Sequence, residues 1–183
     1  MKDSEPTVVV DRKLPGLSSR LIKSFAAEAA RAAGLRSLPD ILLTNSGKLR
    51  QLNSRFRGKD STTDVLSFPA SAANGSAGDI AISLDIAARN AHALGHSVSD
   101  EVRVLILHGI LHLAGYDHEN DHGEMAKKEA VLRTRFGLPN GLIERNSIRG
   151  KRPSAMGRRS SKLRASSNSG QQRKAGARRQ PRT

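Results

Sequence analysis

The sequence predicts an α+β fold, with a single small sheet of about four strands, several helices packed on it and a metal site on a buried helix. Three observations lead there. Short β-branched or alternating apolar runs all fall within the first 83 residues, and an almost unbroken series of helical runs then reaches residue 136. Within that series, Val102 to Leu113 is apolar nearly all round, so other elements must cover most of its sides. At 183 residues the chain is long enough for one domain with a real core and short for two.

Residues 7–13, TVVVDRK, are β-branched and lie between Pro6 and Pro15, which marks a strand. Residues 17–34 place Leu21, Ile22, Phe25, Ala29 and Ala32 on one helical stripe, with Ser18 or Ser19 as N-cap and Gly34 at the end. DILLTN (40–45) is the second strand. SGKLRQLNSRFRG (46–58) is a helix with Leu49, Leu52 and Phe56 turned inward. TDVLSFP (63–69) is a third strand closed by Pro69, and the alternating GDIAIS (78–83) a fourth. Helices follow at 85–95, 99–114 and 121–136. Ser97 or Ser99 caps the second of these, and Asp100 and Glu101 sit where the helix dipole favours anions. Asp121 and Glu124 form a capping box for the third and leave His122 on a solvated first turn.

Charge divides the chain unevenly. Residues 147–183 carry twelve of the 31 Lys and Arg and none of the 17 Asp and Glu, so the first 146 residues are nearly neutral, at +2, and +12 of the net charge of +14 belongs to the tail. Two regions are expected: a folded domain over 1–146 and a basic Ser/Gly/Arg-rich tail over 147–183, too poor in apolar residues to fold. Twelve dispersed cations suit salt-sensitive, sequence-blind attraction to RNA, and equally suit a solubilising extension. There is no cysteine, which excludes disulfides and thiolate metal sites. No apolar run reaches the ~18 residues of a membrane span. The N-terminus, acidic and polar, is unlike a secretory signal, so a cytoplasmic protein without a membrane partner is expected.

Half of the six histidines fall in HGILHLAGYDH, 108–118. His108 and His112 are one helical turn apart and share a face. Gly115 suits the left-handed position that stops a helix, and Tyr116 and Asp117 then turn the chain so that His118 folds over the same face. Three neutral imidazoles around one point leave a coordination position for solvent, the arrangement of catalytic zinc sites. The spacing matches the metzincin signature H-E-x-x-H-x-x-G-x-x-H except that Gly109 stands where the catalytic glutamate belongs. The ligand set is present and the peptidase base is absent.

LNSRFRGKDSTTDVLSFP (52–69), GDIAIS (78–83) and HGILHLAGYDH (108–118) together resemble the YbeY family of bacterial endoribonucleases, also called rRNA maturation factors. The resemblance extends over about residues 40–136 and does not include the tail. It implies metal-dependent, single-strand-specific cleavage of RNA in rRNA processing, notably at the 16S 3′ end, and in ribosome quality control. It further implies one Zn2+ per chain on His108, His112 and His118, a functional arginine at Arg57, and RNA and the ribosome or its small-subunit proteins as partners. An all-imidazole set also admits other divalent transition metals.

The chemistry is consistent with that resemblance. Zinc can bring the pKa of a bound water to ~7, so a strong external base is not required. Equally, a metal can polarise the phosphoryl oxygen while the RNA 2′-hydroxyl attacks. Arg57 is the expected charge stabiliser, because its planar guanidinium binds phosphate oxygens bidentately. Asp64 is expected to cap or hydrogen-bond a neighbouring loop, Asp117 to orient a ligand ring or make the turn, and Tyr116 to pack. His92 and His96 are expected at the surface or a helix end. With 3% aromatic residues, a multi-base stacking sheet is not available, and substrate holding should rest on phosphate contacts and shape. Two other functions remain open on the residues alone. One is a metzincin-like metalloprotease with GDIAIS as the edge strand that receives a peptide. The other is a non-catalytic ribosome-associated RNA-binding factor with structural zinc. Deleting residues 147–183 is expected to leave a folded, metal-binding core whose RNA affinity is lower and falls less steeply with salt, read by circular dichroism and by titration at several salt concentrations.

Overall fold

The computed structural model describes residues 6–11, 16–70 and 76–139. The expected boundary after residue 146 and the basic tail, 147–183, lie outside the described residues. Nine elements run in the order β1 (Val8–Val10), α1 (Ser19–Ala33), β2 (Asp40–Thr44), α2 (Ser46–Arg57), β3 (Val65–Pro69), β4 (Gly78–Ser83), α3 (Leu84–Leu94), α4 (Val98–Leu113) and α5 (Glu124–Phe136). The α+β expectation stands: five helices pack on one four-stranded sheet.

The strand order is β1-β2-β4-β3, with β1, β2 and β4 parallel and β3 antiparallel to β4. GDIAIS is therefore an interior strand, paired on both sides, and cannot receive an extended peptide as an edge. The edge strand beside the histidine helix is β3. It could be antiparallel because only a short connection joins it to β4, whereas the parallel pairs are each reached through a helix.

Alternation along the strands sorts the interior into two clusters. Ile41, Leu43, Ile80 and Ile82 face one way and join α1, α3, α4 and α5 in the main core. Leu42, Leu66, Phe68 and Ala81 face the other way and meet Leu49 and Leu52 of α2 in a smaller one. Helix α4 is buried from Glu101 to Leu111 apart from Arg103, as its all-round apolarity requires.

Helix ends follow local chemistry. Ser18, Asn45, Ser83 and Ser97 cap α1, α2, α3 and α4, each side-chain oxygen accepting a backbone N–H three residues on. The expected capping box of α5 is displaced. Gly123 is the cap residue, Asp121 accepts the N–H groups of Gly123 and Met125, and Glu124 accepts that of His122. Two residues expected inward point out instead, Leu21 on α1 and Phe56 on α2. The stripe of α1 lies one position round, on Ile22, Phe25, Ala26, Ala29, Ala30 and Ala33. Small alanines let α1 approach α4 closely, and that contact, rather than residue size, chooses the buried face. Phe56 lies on the last turn of α2, past the edge of the smaller cluster.

Gly78 opens β4 with φ +126° opposite Pro69, where a Cβ would lie 2.3 Å from the Phe68 carbonyl oxygen and 2.9 Å from the Ala70 nitrogen. Gly34, also at positive φ, has open space around it. Gly78→Ala is expected to destabilise by about 2–5 kcal/mol through strain plus backbone collision. Gly34→Ala should cost about 1–2 kcal/mol through strain alone, both read from urea denaturation midpoints.

Candidate metal centre

Two turns of α4 and the loop after it build the site. Helix α4 ends where the Gly115 and Tyr116 N–H groups bond back to the His112 and Leu111 carbonyls, with Gly115 at φ +89°. Asp117 then makes the turn: its carboxylate accepts from the Glu119 N–H and the Asn120 side chain, and its carbonyl from Asn120 and Asp121. Of the two expected roles for Asp117, turn formation is the one present. His118 is thereby carried back over α4. Ring centroids are 4.8 Å apart for His108 and His112, and 5.3 Å from each of these to His118. One nitrogen from each ring falls within 4.8 Å of the others, a grouping that could bind a metal ion.

The rings are held in a defined sense. His112 Nδ1 lies 3.1 Å from the Tyr116 carbonyl oxygen, which can only accept, so Nδ1 carries the hydrogen. His108 Nδ1 lies 3.1 Å from Glu129 Oε1 on α5, both groups buried. With both Nδ1 atoms donating, neutral rings turn two Nε2 lone pairs toward each other at 3.1 Å. That juxtaposition is repulsive alone and satisfied by a cation, so the donor set fits a divalent metal. His112 stays neutral well below its ordinary range: burial pushes its imidazole down to about 4, with help from the neighbouring His108 and His118.

Gly109 faces the sheet. A Cβ there would lie 3.0 Å from both Ile80 Cγ2 and Ser67 Oγ, and the Ser67 hydroxyl lies 3.4 Å from the Gly109 carbonyl oxygen. A glutamate at this position would press its Cβ on these two side chains, which would have to give by a few tenths of an ångström. The glycine that stands in place of the base is also the point where α4 seats closely on the sheet.

The histidines open into a cleft of about 460 Å³ that also includes Arg57, Asp64 and Ser67. Arg57 is the last residue of α2, a helix of the opposite layer, and its position is set by several bonds. Asp85 accepts the Ser46 N–H and hydroxyl at one end of α2, and Asn53 donates to the Ser61 carbonyl near the other. Asp64 makes local bonds at the start of β3, its Oδ1 accepting from the Val65 N–H and the Thr63 hydroxyl. Tyr116 packs against the main core and also borders the cleft. His92 and His122 are exposed and stand apart from the cluster. His96 is not simply a surface residue: its Nε2 is 2.7 Å from Glu101 Oε2, and Glu101 is fully buried.

Sequence reasoning missed Glu129. Its signal was present, since Met125, Glu129 and Leu132 lie at i, i+4 and i+7 on the buried stripe of α5. An acid on such a stripe requires a partner, and the partner is a candidate ligand.

The family profile described as "Endoribonuclease YbeY" matches residues 5–137. The chain belongs to the YbeY endoribonuclease family. It is 53% identical over 140 residues to Endoribonuclease YbeY of Koribacter versatilis, covering 76% of this chain and 91% of that one. The same-named protein of Solibacter usitatus is 43% identical over 146 residues, 79% of this chain and 98% of its own length. Among solved structures, TM1509 from Thermotoga maritima, determined in solution, superposes with a TM-score of 0.50 at 25% identity, over 82% of this chain and 99% of that one. Membership in the YbeY family makes the chain a nuclease of the hydrolase class, with RNA as its substrate. Among the described residues no helix is long and apolar enough to cross a membrane.

Two outcomes are expected at this site. Glu129→Leu should weaken divalent-metal binding by about 10- to 100-fold in a chelator competition, and Glu129→Gln, which keeps an acceptor, should lose much less. For the metal-free protein, the unfolded His112 takes up its proton near 6.5 while the folded ring resists until about 4. This contribution to stability is complete above pH 6.5 and declines as pH falls through that window. Thermal midpoints against pH should fall less steeply in His112→Gln.

Proposed function

We propose that the chain is a metal-dependent endoribonuclease, specific for single strands, that works in the cytoplasm on ribosomal RNA during maturation, notably at the 16S 3′ end, and in ribosome quality control. The observation that carries the reading is the pair of opposed Nε2 lone pairs of His108 and His112, joined by His118, in a cleft shared with Arg57. His108, His112 and His118 would hold one divalent ion, zinc in the first instance. When bound, it would supply Lewis acidity and an activated oxygen nucleophile near neutral pH.

The chain's own groups do the rest. Glu129 and the Tyr116 carbonyl keep the Nδ1 hydrogens of two ligands and so aim their Nε2 atoms into the cleft. Arg57 binds the non-bridging oxygens of the scissile phosphodiester and stabilises the charge that grows there. Gly109, seated close against Ile80 and Ser67, offers no group to move a proton. That absence weighs against peptide hydrolysis by the same histidines. Membership in an endoribonuclease family weighs against a purely structural metal. The ribosome and its small-subunit proteins are the partners this reading implies.

His112→Ala and Arg57→Ala, each checked for folding by circular dichroism, should lower cleavage of a defined single-stranded RNA by about 100-fold or more. Chelation should abolish cleavage and added Zn2+ restore it. Cleavage by His112→Ala at the parental rate would sink the reading.

A further inference from the structure

The face of the sheet opposite α4 is only partly covered. Helix α2 lies over β3 and β4, and beside it remains a groove of about 670 Å³ floored by β2 and β4 and reaching Val9 of β1. This size is within the ~300–1,000 Å³ of small-ligand clefts. Its walls are mostly apolar, with Phe56 and Phe68 prominent among them, and Asp40 and Asp79 also line it. Phe56 is 59% exposed and shares the groove with the exposed Val9 and with Phe68, so the apolar surface here is contiguous rather than a single exposed side chain. Its ring stands edge-to-face on Phe68, centroids 5.4 Å apart, with the Arg55 guanidinium 5.3 Å from its centre.

Two observations tie this groove to the RNA cleft. Pro69 at the end of β3 borders both hollows. Phe56 and Arg57 are consecutive on the last turn of α2, and the first lines the groove while the second lines the cleft. Charge then says which part of a strand enters. Arg55, Arg57 and Lys59 cluster at the cleft end of α2, whereas the acids bordering the groove are Asp40 and Asp79, register partners on adjacent strands. Partial burial and the neighbouring Asp40 push the Asp79 carboxyl above its ordinary value. Such a pair repels phosphate but accepts hydrogen bonds from the exocyclic amino groups of cytosine, adenine or guanine.

We propose that this groove is a nucleobase subsite, in which an unstacked base flanking the scissile phosphate stacks on Phe56 and turns an amino edge toward Asp40 and Asp79. The inference rests on RNA being bound at the neighbouring cleft, and it names the base class preferred there. One exposed phenylalanine suffices for a single base, although the chain lacks aromatics for a multi-base platform. A paired base cannot leave its stack cheaply, so the subsite also favours single strands.

The test uses the full chain, stripped of metal so that no RNA is cut, and fluorescein-labelled single-stranded hexamers of C, A and U read by anisotropy. The parent should bind C and A hexamers more tightly than U. Phe56→Ala should weaken single-strand binding by roughly 5- to 100-fold with duplex binding unchanged, and Phe56→Trp should retain it. Asp79→Asn should narrow the gap between C and U. Chelator-competition metal affinity should be the same in Phe56→Ala as in the parent, which separates this surface from the metal site. Parental RNA affinity in a folded Phe56→Ala overturns the proposal. So does loss only of binding to a lysine-rich peptide, which would make the groove a protein-docking site. Failure of the metal-loaded parent to cut RNA at all would instead overturn the nuclease reading.

Discussion

Helix α4 carries two of the three candidate ligands, and its distance from the sheet decides where they stand. That distance is set at Gly109, where the helix backbone meets Ile80 and Ser67 with no side chain between. A larger residue would lift the helix by a few tenths of an ångström or more, and His108 and His112 would move with it. His108, beside that contact, is buried, so its ring must be satisfied internally. The glycine at this close contact is also the position at which a metzincin would carry its catalytic base. Site geometry and the lack of that base meet at one residue.

The edge position of β3 is the second constraint. An interior strand would separate the two layers of the domain, whereas an edge strand lets a residue of one layer border a site built in the other. Arg57 does this from the end of α2, and Ser67 and Asp64 reach the cleft from β3 and its approach. Because β3 ends at Pro69, which closes strands and here borders both hollows, the metal cleft and the apolar groove meet around one short edge.

Buried acids complete the layout. Glu101 and Glu129 are each almost fully buried and each is matched to a histidine, His96 and His108. Leaving either acid charged and unpartnered would cost several kcal/mol. The two pairs brace opposite ends of the helical layer: one fastens the start of α4 to the turn before it, the other ties the ligand turn of α4 to α5. The rest of α5 then serves the site indirectly, through Met125 and Leu132 in the main core.

Much of this was legible in the sequence because local forces govern it. Strand and helix positions, the serine and asparagine caps, the glycine stops and the one-turn spacing of His108 and His112 follow from periodicity and short-range hydrogen bonding, which need no knowledge of distant residues. Tertiary structure decided what depends on partners far along the chain: β4 as an interior strand, Phe56 facing out, Glu129 against His108, and the tight fit at Gly109. Each of these is fixed by which surfaces meet after the layers close, and pairing across tens of residues leaves no periodic trace for a linear reading to find.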